Sequence, residues 1–121
     1  MLQKDETEHS IPEPWRTIFR QIADAFAAGD FALRHHRIAG VEPVDPSTAQ
    51  HIADKIAAYG GGLAPLSDAT WKQSVYRWID GHWLMLVDLS TVAEPVSDLT
   101  LHAKLHEADD LRLEINSVHV P

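Results

Sequence analysis

Hydrophobic positions change period along this chain, from helical spacing in the first half to alternation in the second. Trp15, Ile18, Phe19, Ile22 and Phe26 recur at steps that place them on one helical face. Pro14 suits the first turn of that helix, where its missing N–H is not needed, and Gly29 supplies a stop. A second helix is predicted with Asp45 as N-cap and Pro46 at its first position. Its apolar stripe is Ala49, Ile52, Ala53 and Ile56; it runs up to Tyr59, and Gly60-Gly61-Gly62 ends it. The residues before Pro14 are polar and punctuated by proline, so residues 1–13 are expected to form a mobile tail and residues 14–121 a single domain. Residues 30–43 alternate poorly and are expected to give a short edge strand or loop.

The clearest signal is a hairpin. Two strand-like runs, 74–79 and 82–89, flank Asp80-Gly81, a preferred type I′ turn. A two-residue turn fixes the register: Ile79 opposite His82, Trp78 opposite Trp83, Tyr76 opposite Met85 and Val75 opposite Leu86. Leu99, Leu101, Ala103 and Leu105 then alternate with polar residues, and Leu111, Leu113 and Ile115 repeat the pattern. A three-residue loop, 108–110, sets Lys104 opposite Glu114 and Leu105 opposite Leu113, the register that charge favours. Near Asn116-Ser117 the apolar phase moves to Val118 and Val120, so a bulge or bend is expected there. The expected fold is α+β, two N-terminal helices packed on a four-stranded antiparallel meander sheet.

Both faces of the hairpin are rich in apolar residues. One carries Tyr76, Trp78, Trp83, Met85, Val87 and Leu89, the other Val75, Ile79, Leu84 and Leu86. Two helices can shield only one side, so the second face calls for residues 30–43, the tail, or another molecule.

At 121 residues, with 45% hydrophobic and 23% charged residues, the chain can bury one core without staples. It has no cysteine, which excludes disulfides and thiolate chemistry and fits a reducing compartment. The start lacks the pattern of a signal peptide, and no apolar stretch is long enough to span a bilayer, so a cytoplasmic location without membrane association is expected. A net charge of −8 disfavours nucleic acid and anionic membranes as partners. The eight histidines make that charge sensitive to pH.

Candidate chemistry is sparse. His102 and His106 have a chelating spacing for a helix, but on a strand they stand ~13 Å apart. His82, Asp88 and Ser90 suggest a hydrolase triad, yet His82 and Asp88 are separated by roughly 20 Å of strand. Gly60-Gly61-Gly62 lacks the lysine and following helix of a phosphate loop. No catalytic set, metal site or cofactor is expected. The binding candidates are the basic cluster Arg34, His35, His36 and Arg37, which could hold a phosphate or carboxylate, and Arg77, His82 and Asp88 on the hairpin. If Asp88 is buried, its pKa should rise and make it a candidate acid or base.

Tyr59-Gly60, Trp71, the run Trp83-Leu84-Met85-Leu86-Val87-Asp88-Leu89, Ser97-Asp98-Leu99-Thr100-Leu101 and the ending Val118-His119-Val120-Pro121 give the chain its likeness to known sequences. In these it resembles a family of small bacterial domains of unknown function, a resemblance that transfers no site. Ala25-Phe26-Ala27-Ala28-Gly29-Asp30 and Asp80-Gly81-His82-Trp83 are also similar to motifs of the NTF2-like superfamily. That likeness implies a fold around a pocket and a small-molecule binder or an isomerase- or dehydratase-type enzyme. An acidic chain with a two-faced apolar hairpin and no convergent catalytic set points instead to a non-enzymatic protein-binding module. Its specific form would be an immunity-type protein that neutralises a toxin, and its partner is another protein or a second copy of the chain.

Overall fold

In the computed structural model, which describes residues 2–121, strand β1 (His9–Ser10) precedes helices α1 (Glu13–Ala27) and α2 (Pro46–Tyr59). Short β2 (Leu63–Ala64) and a 3-10 turn (Asp68–Lys72) lead into β3 (Val75–Ile79) and β4 (His82–Asp88). Then come β5 (Ser90–Thr91), β6 (Thr100–Glu107) and β7 (Leu111–His119).

The main sheet has five strands in the order β1-β3-β4-β6-β7, all antiparallel, and β2 pairs with β5 in a two-stranded sheet. The mixed helix and sheet class is as expected. The strand count of four is not, nor is the placing of both helices at the N-terminus, because β1 comes before α1 and α2 lies mid-chain. A two-residue strand leaves no alternation to read. Long-range contacts hold it: Ile11 is fully buried, Trp78 N–H donates to the Asp5 carbonyl at 2.8 Å, and Trp83 Nε1–H donates to the Gln3 carbonyl at 2.9 Å. The segment read as a tail thus lies along the open edge of β3.

Helix α1 ends in a pair of bonds that satisfies its last carbonyls: Gly29, at φ +85°, donates to Phe26, and Asp30 donates to Ala25. Helix α2 starts on Asp45, whose carboxylate accepts from the N–H groups of Ser47 and Thr48. The β3–β4 hairpin has the derived register, with Asp80 and Gly81 both at positive φ as a type I′ turn requires. Trp78 and Trp83 meet edge to face at 4.8 Å. The β6–β7 register also holds, and His102 pairs with Ser117 while Ala103 pairs with Ile115, leaving Asn116 as the extra residue of a bulge.

Residues 30–43 form a loop whose end, at Val41, bridges Leu113 in parallel fashion. Leu113 N–H donates to the Gly40 carbonyl, and Glu42 N–H to the Leu113 carbonyl. The outer edge of β7 is thereby partly paired, as β1 pairs that of β3.

The core lies on one side of the sheet. Phe19, Ile22 and Phe26 from α1 and Ile52 and Ile56 from α2 pack with Trp83, Met85, Val87, Leu101, Leu105, Leu113 and Val118. Most side chains on the opposite side are half-exposed, with Thr100 buried at one end. Val75, Ile79, Leu84 and Leu86 all lie there, and the chain lays no helix over them.

Candidate functional site

The seven candidate residues separate into two places. Arg34, His35, His36 and Arg37 are exposed in the loop after α1, whereas Arg77, His82 and Asp88 lie on the open side of the sheet.

In the loop, three successive backbone N–H groups point at one spot, the geometry of an anion cradle. Asp30 already fills it. Its carboxylate accepts from the N–H of Arg34 at 3.0 Å, His35 at 2.8 Å and His36 at 2.9 Å, and it lies 2.8 Å from His36 Nδ1. The Asp30 side chain is only 8% exposed. Burial alone would raise its pKa, but the His36 ring and the three backbone donors outweigh that and hold it well below the usual carboxylate range. Arg34, His35 and His36 line an open depression of about 450 Å³ against the start of α2. Arg37 turns away into a separate depression of about 290 Å³. The basic cluster therefore surrounds an internal carboxylate that takes the place of a bound anion.

On the sheet, the pairings align the open-face residues in rows. Arg77, Leu84, Lys104 and Glu114 form one row, and Val75, Leu86, His102 and Ser117 the next. Asp88, Thr100 and His119 form the row at one end. Beyond the Arg77 row, His82 stands beside His106 with ring centres 5.8 Å apart, and His106 Nε2 is 2.8 Å from Glu114 Oε1. His102 and His119 stack at 4.1 Å. Burial, and then the nearby His119, lowers the pKa of His102.

Asp88 is half-buried, and burial raises its pKa, although the Thr100 hydroxyl donates to it at 3.2 Å. Ser74 Oγ accepts from the Asp88 N–H, and the Thr70 hydroxyl donates to the Asp88 carbonyl. The residue is thus pinned through its backbone, and its carboxylate is bonded only to the Thr100 hydroxyl among the described residues. Among the described residues no group of three or more His, Asp or Glu is arranged to hold a metal ion.

Sequence reasoning placed Arg77, His82 and Asp88 on the hairpin but did not join them to His102, Lys104, His106, Glu114 and His119. The missing link is the β4–β6 register, Trp83 opposite Leu105, which no short turn dictates because residues 89–99 intervene. Three polar atoms on this face, Arg77 Nε, His102 Nε2 and Asn116 Oδ1, are buried without a hydrogen-bond partner. Such groups are rare in finished interiors.

Among the described residues no helix is long and apolar enough to cross a membrane. Comparison with curated proteins and with solved structures returns no match. The family model of a domain of unknown function (DUF7668) matches residues 23–121, from the middle of α1 through the whole of the main sheet except β1, and the chain belongs to that family.

Proposed function

We propose that this protein is a non-enzymatic binding module whose docking surface is the open face of the main sheet. The observation that carries this reading is the half-exposure of Val75, Ile79, Leu84 and Leu86 on a face over which the described residues lay no helix. Both sheet edges are partly paired, by β1 and by the Val41 bridge, so the face is more available to a partner than the edges are.

An NTF2-like ligand binder or an isomerase- or dehydratase-type enzyme would need an enclosed cavity between helices and sheet. Phe19, Phe26, Met85 and Leu105 fill that space, which favours recognition over turnover. An immunity-type protein that neutralises a toxin is the specific form that suits an acidic chain. Docking through this face would require the toxin's contact surface to meet Arg77 and Lys104.

A photo-crosslinking residue placed at Leu84, with Gln50 on α2 as the control position, tests the proposal in the protein's native cells. A discrete adduct from position 84 that is absent from position 50 is expected. No adduct, or the same adducts from both positions, would remove the sheet face as the docking surface.

A further inference from the structure

The open face carries charge of the opposite sense to the rest of the molecule. The chain has 10 Lys and Arg against 18 Asp and Glu, for a net charge of −8. By strand alternation, the open face holds three of the basic residues, Arg77, Lys104 and Arg112, against Asp88 and Glu114. It also holds four of the eight histidines, His82, His102, His106 and His119.

Arg77 and Lys104 share the central row with Leu84, and neither has a carboxylate within salt-bridge distance among the described residues. Arg112, by contrast, is paired with Glu42 at 3.8 Å, and Glu114 with His106. The centre of the apolar patch is therefore the place where cations stand unmatched.

We infer that the partner of this face is an acidic protein segment that lays alternating carboxylate and apolar side chains across the Arg77–Leu84–Lys104 row. This rests on the binding reading above and adds the chemistry of the partner. Carboxylates there would pair with Arg77 and Lys104, while apolar groups would cover Leu84, Leu86, Val75 and Ile79. A second copy of the chain is a poorer occupant, because it would bring the same unmatched cations to the same row and its own −8 body beside this one.

The histidines tie this recognition to pH. Each side of the patch presents a pair, and the groups facing them are known. Glu114 faces His106, and Lys104 lies between the two pairs on β6. Asp88 shares the row of His119, whose groove also takes in His51 and Lys55 from α2. Arg112 faces the His106 end, and β1 contributes only Ser10 to this side. The turn carboxylates Asp80, Asp109 and Asp110 lie beyond the strand ends and bound the patch there. Protons taken up by this set of histidines on acidification add positive charge beside the central row, least at His102, whose pKa burial and then His119 hold down, so an acidic segment should bind more tightly as pH falls from 7.5 to 5.5. Its own glutamates stay ionised over that range.

Two octapeptides serve as probes, one alternating Glu and Val and one alternating Lys and Val, titrated against the full chain by amide NMR. The Glu–Val peptide is expected to shift resonances of β4 and β6, with about tenfold tighter binding at pH 5.5 than at 7.5. Lys104→Glu should abolish that binding, whereas Lys72→Glu, which changes net charge equally on the 3-10 turn, should leave it within about twofold. Equal or stronger binding of the Lys–Val peptide at this face would overturn the acidic partner and leave the docking face standing. A dimer by light scattering that uses the same face and loosens at pH 5.5 would do the same. Binding of neither peptide overturns the inference, and the Leu84 crosslink decides the docking face separately.

Discussion

Asp30 and Asp88 are both held by neighbouring groups, yet their surroundings push them in opposite directions. For Asp30, burial is outweighed by the His36 ring and the N–H groups of Arg34, His35 and His36, and its folded pKa is depressed. A depressed carboxylate stabilises the fold at pH above its unfolded value of about 3.9, and that contribution is lost as pH falls through the folded value. Asp30→Ala should therefore strip hydrogen-exchange protection from Arg34, His35 and His36 at neutral pH. Unchanged protection there would mean that the loop holds itself. For Asp88, burial raises the folded pKa above the unfolded one, so its stabilising share is present in acid and lost as pH rises through the folded value. Asp88→Asn should raise stability at pH 7 by under about 1 kcal/mol, since a half-exposed carboxylate is well screened, and the gain should vanish on acidification toward pH 3. Thermal denaturation at both pH values gives the comparison, and a loss of stability at pH 7 would contradict it. Trp83 is simpler. It is 3% exposed, packs edge to face on Trp78 and donates its Nε1–H to Gln3, so Trp83→Ala should cost about 3 to 5 kcal/mol in denaturant titration. A loss under about 1 kcal/mol would place it outside the core.

At the scale of elements, what the sequence made legible is what local chemistry dictates. Asp80-Gly81 fixes a turn, the turn fixes the β3–β4 register, and the three-residue loop 108–110 sets Lys104 opposite Glu114, whose carboxylate bonds to His106 instead. Asp45-Pro46 and Gly60 bound α2 because capping and glycine conformations are local too. What remained hidden depends on partners distant in sequence: β1, the Val41 bridge to Leu113, and the β4–β6 register that joins His82 to His106. The candidate site was half legible for the same reason. Its β3–β4 members were found, and those on β6 and β7 were not. The basic loop was legible as a cluster, but Asp30, sitting in the cradle as its internal anion, was not. The bulge offers a direct test of element-scale logic. Deleting Asn116 would restore plain alternation while keeping Ser117 outward opposite His102 and the buried Val118 inward opposite Leu101. Because apolar burial is kept, the loss of stability is expected to stay under about 1 kcal/mol. A loss above about 3 kcal/mol in urea titration would show that the bulge itself, and not only alternation, holds the end of β7.

For the whole molecule, a sheet packed on one side and open on the other leaves colloidal behaviour to charge. At neutral pH the net charge of −8 keeps copies apart even though apolar side chains are half-exposed on the open face. None of the eight histidines is fully buried, and His35, His36 and His51 are exposed. As pH falls from 7.5 to 5.5, histidines with the ordinary pKa of about 6.5 gain protons, and each one removes a unit of the negative charge. His102 lags, because burial and then His119 hold its pKa down. Its sign for stability follows: the unfolded chain binds this proton more readily than the folded one, so acidification below about 6.5 also takes stability away. Repulsion and stability thus weaken over the same range as the chain approaches its pI of about 5.3. Solubility should fall steeply between pH 7.5 and 5.5, measured as the concentration left in the supernatant. Leu84→Lys, in the middle of a face that already carries unmatched Arg77 and Lys104, should soften that fall no more than the same substitution at Val92, an exposed residue in the loop after β5. A clearly larger rescue by Leu84→Lys would show that copies adhere through the open face in spite of its like charges.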